Sequence, residues 1–146
     1  MSHYCFGKIE YGIKEFIIHE YPGYSKASSN IRTMIDLISR YFPYKLSERE
    51  MSFRLNTTAR WLQSECRKTF GITYSSLIRI IKVNTGLSLI TNNKISCRKT
   101  AVMLNYSSTG NMTRDFKKVF GLTPTEVKQY LEQIDIKHFS LLTVVK

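Results

Sequence analysis

The sequence predicts an all-α fold: two helix-turn-helix subdomains joined by a long linker helix, with short N-terminal and C-terminal extensions. Three observations predict it. Apolar residues recur at three- and four-residue spacing over most of residues 30–131, the period of helices that bury one face. Capping residues and turn formers punctuate these segments where helix ends need them. One stretch of chain also occurs twice, so the local structure of one copy is the local structure of the other.

The duplication is read by setting TARWLQSECRKTFGIT, from Thr58, against STGNMTRDFKKVFGLT, from Ser108, at an offset of 50 residues. Thr58 and Ser108 are both cap formers. Leu62 meets Met112 and Cys66 meets Phe116 at core positions, and Arg67-Lys68 meets Lys117-Lys118. Phe70-Gly71 and Phe120-Gly121 coincide, each glycine closing its helix. Before the first copy, Ser47 stands three residues ahead of Glu50, the spacing of a capping box, and predicts a short helix from Glu48 to about Leu55. Before the second, Ile95 to Leu104 supplies the same short helix. Asn56 and Asn105 follow these helices, and asparagine tolerates the left-handed conformation that a sharp turn requires.

The remaining segments follow the same logic. Residues 1–27 are aromatic-rich and alternate loosely through Ile9, Tyr11 and Ile13, a pattern that predicts a strand or short hairpin weakened by Gly7 and Gly12. Pro22, Gly23 and the Ser-Lys-Ala-Ser-Ser run at 25–29 predict a linker. Ile31, Met34, Ile35, Leu37 and Ile38 then mark a helix that Pro43 closes. Between the copies, Thr73 to about Ile90 carries Tyr74, Leu77, Ile78, Ile81 and Leu87 at helical spacing, with Arg79 and Lys82 outside. Eighteen residues at the helical rise would separate the two units by roughly 27 Å. Adjacent turns of a DNA major groove lie about 34 Å apart, so two probes so spaced could meet them with some bending of the duplex.

Charge points the same way. Lys8, Lys14 and Lys26 balance Glu10, Glu15 and Glu20, while Lys137 and Lys146 balance Glu132 and Asp135. The net charge of +11 therefore lies wholly in residues 28–131, where a polyanion is the expected partner. Domain boundaries follow: an extension 1–27, a double helix-turn-helix domain 28–133 and a tail 134–146. No apolar run approaches the roughly 20 residues that span a bilayer, and early charges leave no signal-peptide core, so a cytoplasmic location without membrane contact is expected. Cys5, Cys66 and Cys97 are too few and scattered for a disulfide framework or a metal knuckle, and read as reduced thiols. His3, His19 and His138 lie in or near the tails, with no nucleophile motif or phosphate-cradling glycine loop, so neither an enzyme nor a cofactor is expected.

The run NYSSTGNMTRDFKKVFGLTPTEV resembles the signature of the AraC/XylS family of bacterial transcription regulators. Asn105-Tyr106 stand at that family's Gly-Phe turn, and Phe116-Lys117, Phe120-Gly121 and Thr123-Pro124 match its remaining landmarks in register. Thr123 as cap, Pro124 at the first helical position and Glu126 as box partner open a final helix. The resemblance covers about residues 30–131 and implies two helix-turn-helix units that grip DNA. This chain departs from it at Ser52 for a usual alanine, Cys66 for an aromatic, Ser64 and Lys82 for arginines and Met112 for phenylalanine. Four of these keep the character of the position. Ser64 removes a base-reading side chain.

With Leu62, Cys66 and Phe70 inward, the first recognition helix presents Arg60, Gln63, Ser64 and Arg67. With Met112, Phe116 and Phe120 inward, the second presents Thr109, Gly110, Thr113 and Arg114, with Asn111 at the edge. Arginine can bind guanine and glutamine adenine by paired hydrogen bonds, so these are the candidate base contacts, Arg114 foremost. Lys68, Lys82, Lys99, Lys117 and Lys118 are the candidate phosphate contacts, which position rather than specify. Trp61 is expected to pack on a neighbouring helix. The function expected is a sequence-specific transcription regulator, an activator, bound as a monomer to double-stranded promoter DNA and working with RNA polymerase. The alternative is a DNA-binding-like module acting through a protein co-regulator, with residues 1–27 as its surface. About 27 residues are too few to enclose a ligand pocket, so direct small-molecule sensing is not expected.

Overall fold

The structure, a computed structural model, describes residues 12–133. It is all-helical among them: residues 12–20 (α1), a 3-10 helix Pro22–Lys26, then α2 (Ser29–Tyr41), α3 (Glu48–Arg54), α4 (Ala59–Phe70), α5 (Tyr74–Thr91), α6 (Cys97–Met103), α7 (Thr109–Phe120) and α8 (Pro124–Gln133). Two compact units divide the chain, with the boundary between Ile78 and Arg79 inside α5. The expected long connecting helix is thus present, giving its first residues to one unit and the rest to the other.

In the first unit, α2 is opened by Ser28, whose hydroxyl accepts from the Ile31 amide at 3.3 Å, and it buries Ile31, Met34, Ile35, Leu37 and Ile38. Helix α3 carries the capping box, Ser47 Oγ accepting from the Glu50 amide at 3.0 Å and Glu50 Oε1 from the Ser47 amide at 3.1 Å. Helix α4 lays Leu62, Cys66 and Phe70 inward, and Tyr74 of α5 donates its hydroxyl to the Leu46 carbonyl at 2.7 Å. Burial of Tyr74 raises its pKa above the ordinary phenol range, so this donor keeps its proton.

The strand or hairpin expected near the N-terminus is corrected over residues 12–20, which are helical; Ile9 and Tyr11 lie outside the described residues. Ile13 and Ile17, one helical turn apart, are both buried, and that four-residue spacing overrides the short alternation. The linker expected after Pro22 is ordered instead. Tyr21 and Tyr24 set their rings 5.2 and 6.4 Å from that of Phe70, and Arg32 donates to the carbonyls of Tyr24 and Ser25 at 3.3 and 2.7 Å.

The second unit repeats the hydroxyl cap bonds and the turn bonds of the first. Ser96 caps α6 and Ser108 caps α7 through 3.1 Å bonds from the Lys99 and Asn111 amides, as Thr58 caps α4 from Trp61. After the short helix, the Thr57 amide donates to the Ser52 carbonyl and the Tyr106 amide to that of Ala101, both at 2.9 Å. Asn56 and Asn105 take the left-handed conformation, φ 57° and 63°, that these turns need. Gly71 and Gly121 end α4 and α7 at φ 76°, where a side chain would be strained. One difference intrudes: the chain between α6 and α7 is a residue longer than that between α3 and α4. Helix α7 then seats closely on α5, because a Cβ on Gly86 would lie 3.0 Å from Leu104 Cδ1 and 3.4 Å from Phe116 Cε1.

Candidate nucleic-acid interface

Helix α4 exposes Arg60, Gln63, Ser64, Arg67 and Lys68 while its opposite face is buried. These residues recur every three or four positions, so a single stripe of the helix carries them. A neighbour modifies the stripe. Gln63 Nε2 donates to Glu48 Oε1 at 3.2 Å, which brings a carboxylate from the start of α3 to this stripe. Trp61 is half-buried. Behind the stripe, burial pushes the Cys66 thiol up to about 12, with the charges of Glu48 and Glu65 adding to it, so the group is a neutral core side chain.

Helix α7 exposes Thr109, Gly110, Arg114, Lys117 and Lys118 and leaves Asn111 and Thr113 half-buried, with Met112 and Phe116 fully inward. Here the arginine is held. Arg114 Nη1 donates to Asn111 Oδ1 at 2.9 Å, and Asn111 Nδ2 donates to Ser107 Oγ in the preceding turn. On the flank of α7, Asp115 Oδ2 accepts from the Tyr106 hydroxyl at 2.9 Å, and its Oδ1 pairs with Arg79 Nε of α5 at 3.4 Å. The Lys82 ammonium lies 4.2 Å from the centre of the Tyr106 ring, a cation–π contact within this unit. Lys99 is exposed on the first turn of α6. Two basic residues thus close each recognition helix, Arg67 and Lys68 on α4 and Lys117 and Lys118 on α7.

The structure therefore gathers Arg60, Gln63, Ser64, Arg67 and Lys68 on one helix face and Thr109, Asn111, Thr113, Arg114, Lys117 and Lys118 on another. Lys82 is half-buried, with its ammonium against the Tyr106 ring. Sequence reasoning missed Glu48, Tyr106, Asp115 and Arg79. The signal available was slight: Glu65 and Asp115 coincide in the two copies, so an acid precedes the core residue in each.

Two capped recognition helices, each behind a short helix and a left-handed asparagine turn, define a double helix-turn-helix DNA-binding protein. The chain belongs to the AraC-type helix-turn-helix family: the family described as "Helix-turn-helix domain" matches residues 51–130. It is similar to the uncharacterized HTH-type transcriptional regulator YtdP of Bacillus subtilis, at 28% identity over 106 residues. That match takes in 73% of this chain but only 13% of the length of YtdP. Among solved structures it is similar in fold to the C-terminal domain of AraT, a response regulator from Geobacillus stearothermophilus, with TM-score 0.65 at 18% identity over 77% of this chain and 92% of that one. A transcriptional regulator from Chromobacterium violaceum with an AraC-type DNA-binding domain gives TM-score 0.63 at 16% identity, over 71% and 93%. Family and fold are those of DNA-binding transcription regulators, not of enzymes. No helix among the described residues is long and apolar enough to cross a membrane.

Proposed function

We propose that residues 28–133 form a sequence-specific DNA-binding domain whose α4 and α7 enter two adjacent major-groove segments of a promoter duplex, and that the chain regulates transcription, as an activator, from that site. The observation carrying this reading is the repeated exposed stripe of polar and basic side chains on the two recognition helices, each over the same capped scaffold. Arg60, Gln63 and Arg67 read bases through the first unit and Arg114 through the second, with Thr109, Thr113 and Asn111 completing the edge. Lys68, Lys82, Lys99, Lys117 and Lys118 meet phosphates, Lys82 from its place over the Tyr106 ring. YtdP and the Chromobacterium protein carry the description of transcriptional regulator, which supports the same reading.

The test is a gel shift at two salt concentrations with a duplex selected by the chain from a randomised pool, against a scrambled duplex. Tight, salt-sensitive binding to the selected duplex is expected, with weaker binding to the scrambled one. Equal affinity for both would remove sequence specificity from the proposal. A second reading has a protein co-regulator docking through residues 1–27, where Ile18 of α1 is 61% exposed. Absence of DNA binding even at low salt would select that reading. A reporter fusion carrying the selected site separates activation from repression.

A further inference from the structure

We infer that Asp115 is a positioning residue for base reading by the second unit: through Tyr106 in the turn and Arg79 on α5 it sets the bearing of α7, and with it the direction in which Arg114 projects. The inference deepens the DNA-reading proposal above and rests on it.

Asp115 joins three segments of the chain. One carboxylate oxygen accepts from the turn and the other pairs with α5, so both are engaged. The side chains of Arg79 and Asp115 are only 29% and 24% exposed. A carboxylate so withdrawn from water depends on its partners, because removal of one leaves a charge that little else compensates. Burial, then the Asp115 charge, raises the Tyr106 pKa, so the phenol stays protonated and remains a donor. Lys82 holds the ring of the same tyrosine.

Successive residues of a helix project about 100° apart, so pinning Asp115 fixes where its neighbour Arg114 points. One turn earlier the same flank of α7 is held by the chain of bonds from Ser107 through Asn111 to the Arg114 guanidinium. Turn residues 106 and 107 therefore hold two successive turns of α7 along one flank. Paired hydrogen bonding to a guanine edge needs the guanidinium plane aligned before contact, and a reader held by its neighbours meets that need. The first unit is built otherwise. Thr57 takes the place of Tyr106 by backbone bonding, and its buried hydroxyl has no partner.

The experiment selects duplexes from a randomised double-stranded pool with the full chain and with Arg114→Ala, Tyr106→Phe and Asp115→Asn. Tyr106→Phe keeps the ring and removes the donor; Asp115→Asn keeps an acceptor and removes the charge. Arg114→Ala identifies the half-site read by α7. Each variant, shown to be folded by circular dichroism, is then measured on the selected duplex and on one substituted in that half-site alone. Tyr106→Phe is expected to lose roughly fivefold to tenfold of this affinity ratio, with discrimination at the other half-site intact. Asp115→Asn should move the same ratio in the same direction and serves as the test should Tyr106→Phe not fold. An unchanged ratio, or equal weakening at both half-sites, would overturn the positioning role and leave the DNA-reading proposal standing. Failure of the unaltered chain to select any sequence would overturn both.

Discussion

The two helix-turn-helix units differ less in scaffold than in how their reading faces are held. Caps, left-handed asparagines and glycine terminators repeat in both. Position by position across the recognition helices, however, Arg60 meets Gly110, Trp61 meets Asn111, Ser64 meets Arg114 and Glu65 meets Asp115. The first unit places its arginines near the two ends of α4 and ties its glutamine to a carboxylate. The second places one arginine mid-face and secures it through Asn111, with Asp115 anchored one turn further along the same flank. The inserted residue in the second turn is Ser107, the residue that holds Asn111. A duplicated scaffold thus carries two different probes: one with dispersed charge, one with a single prepared contact.

The core shows the same divergence, and breaking it gives the largest expected effect. Cys66 and Phe116 occupy equivalent places and are both fully buried. Phe116→Ala should cost about 3–5 kcal/mol of stability and Cys66→Ala about 1–2 kcal/mol, since the void left by the ring is far larger. Denaturant titration of both variants measures the difference, and equal losses would show that packing is balanced between the units. Next in size is the reading itself. Arg114→Ala should reduce discrimination between the selected duplex and its half-site variant by about 1–3 kcal/mol, roughly tenfold to a hundredfold. Ser64→Ala, at the same place in the first unit, should leave it within about twofold. If Ser64→Ala proves as damaging as Arg114→Ala, the two units do not divide the reading in this way.

Helix periodicity, the capping box of Ser47 and Glu50 and the turn asparagines were legible in the sequence because each depends on residues within a few positions of one another, and the repeat because its two copies keep one order of residue types at a fixed offset. The exposed stripes of α4 and α7 followed from the same local geometry. The clamp on Asp115 was not legible, because Arg79, Tyr106 and Asp115 are brought together only when α5, the second turn and α7 pack. Nor was the hold of Glu48 on Gln63, whose partners are fifteen residues apart on separate helices. At the N-terminus, Ile13 and Ile17 carry the helical spacing, but a brief alternation through Ile9, Tyr11 and Ile13 points to a strand, which Gly7 and Gly12 only weaken. Periodicity puts Lys82 outside the helix, and its contact with the Tyr106 ring is not legible because it depends on how α5 and the second turn pack.

A smaller effect separates the short helices. Thr100 on α6 is fully buried and its hydroxyl has no partner, whereas the equivalent place on α3 holds Met51, also fully buried. Thr100→Val keeps the shape and removes a desolvated polar group, so it should raise stability by about 1 kcal/mol. Thermal denaturation checks this. A loss of stability would mean that the hydroxyl finds a hydrogen bond in solution, and that the two short helices are closer in character than their side chains imply.

The smallest effect concerns Glu48, whose place in the second copy is taken by Cys97. A carboxylate beside a face meant for a polyanion opposes binding through space, but the pair with Gln63 is exposed and salt screens it. Glu48→Gln should therefore tighten binding by about twofold to threefold at low salt, with the gain fading as ionic strength rises. Titration of one duplex across a salt series measures both features. The opposite result, weaker binding at every salt concentration, would give Glu48 a different task. It would then serve by fixing the Gln63 amide for base contact, and the first unit would prepare its reader much as the second does.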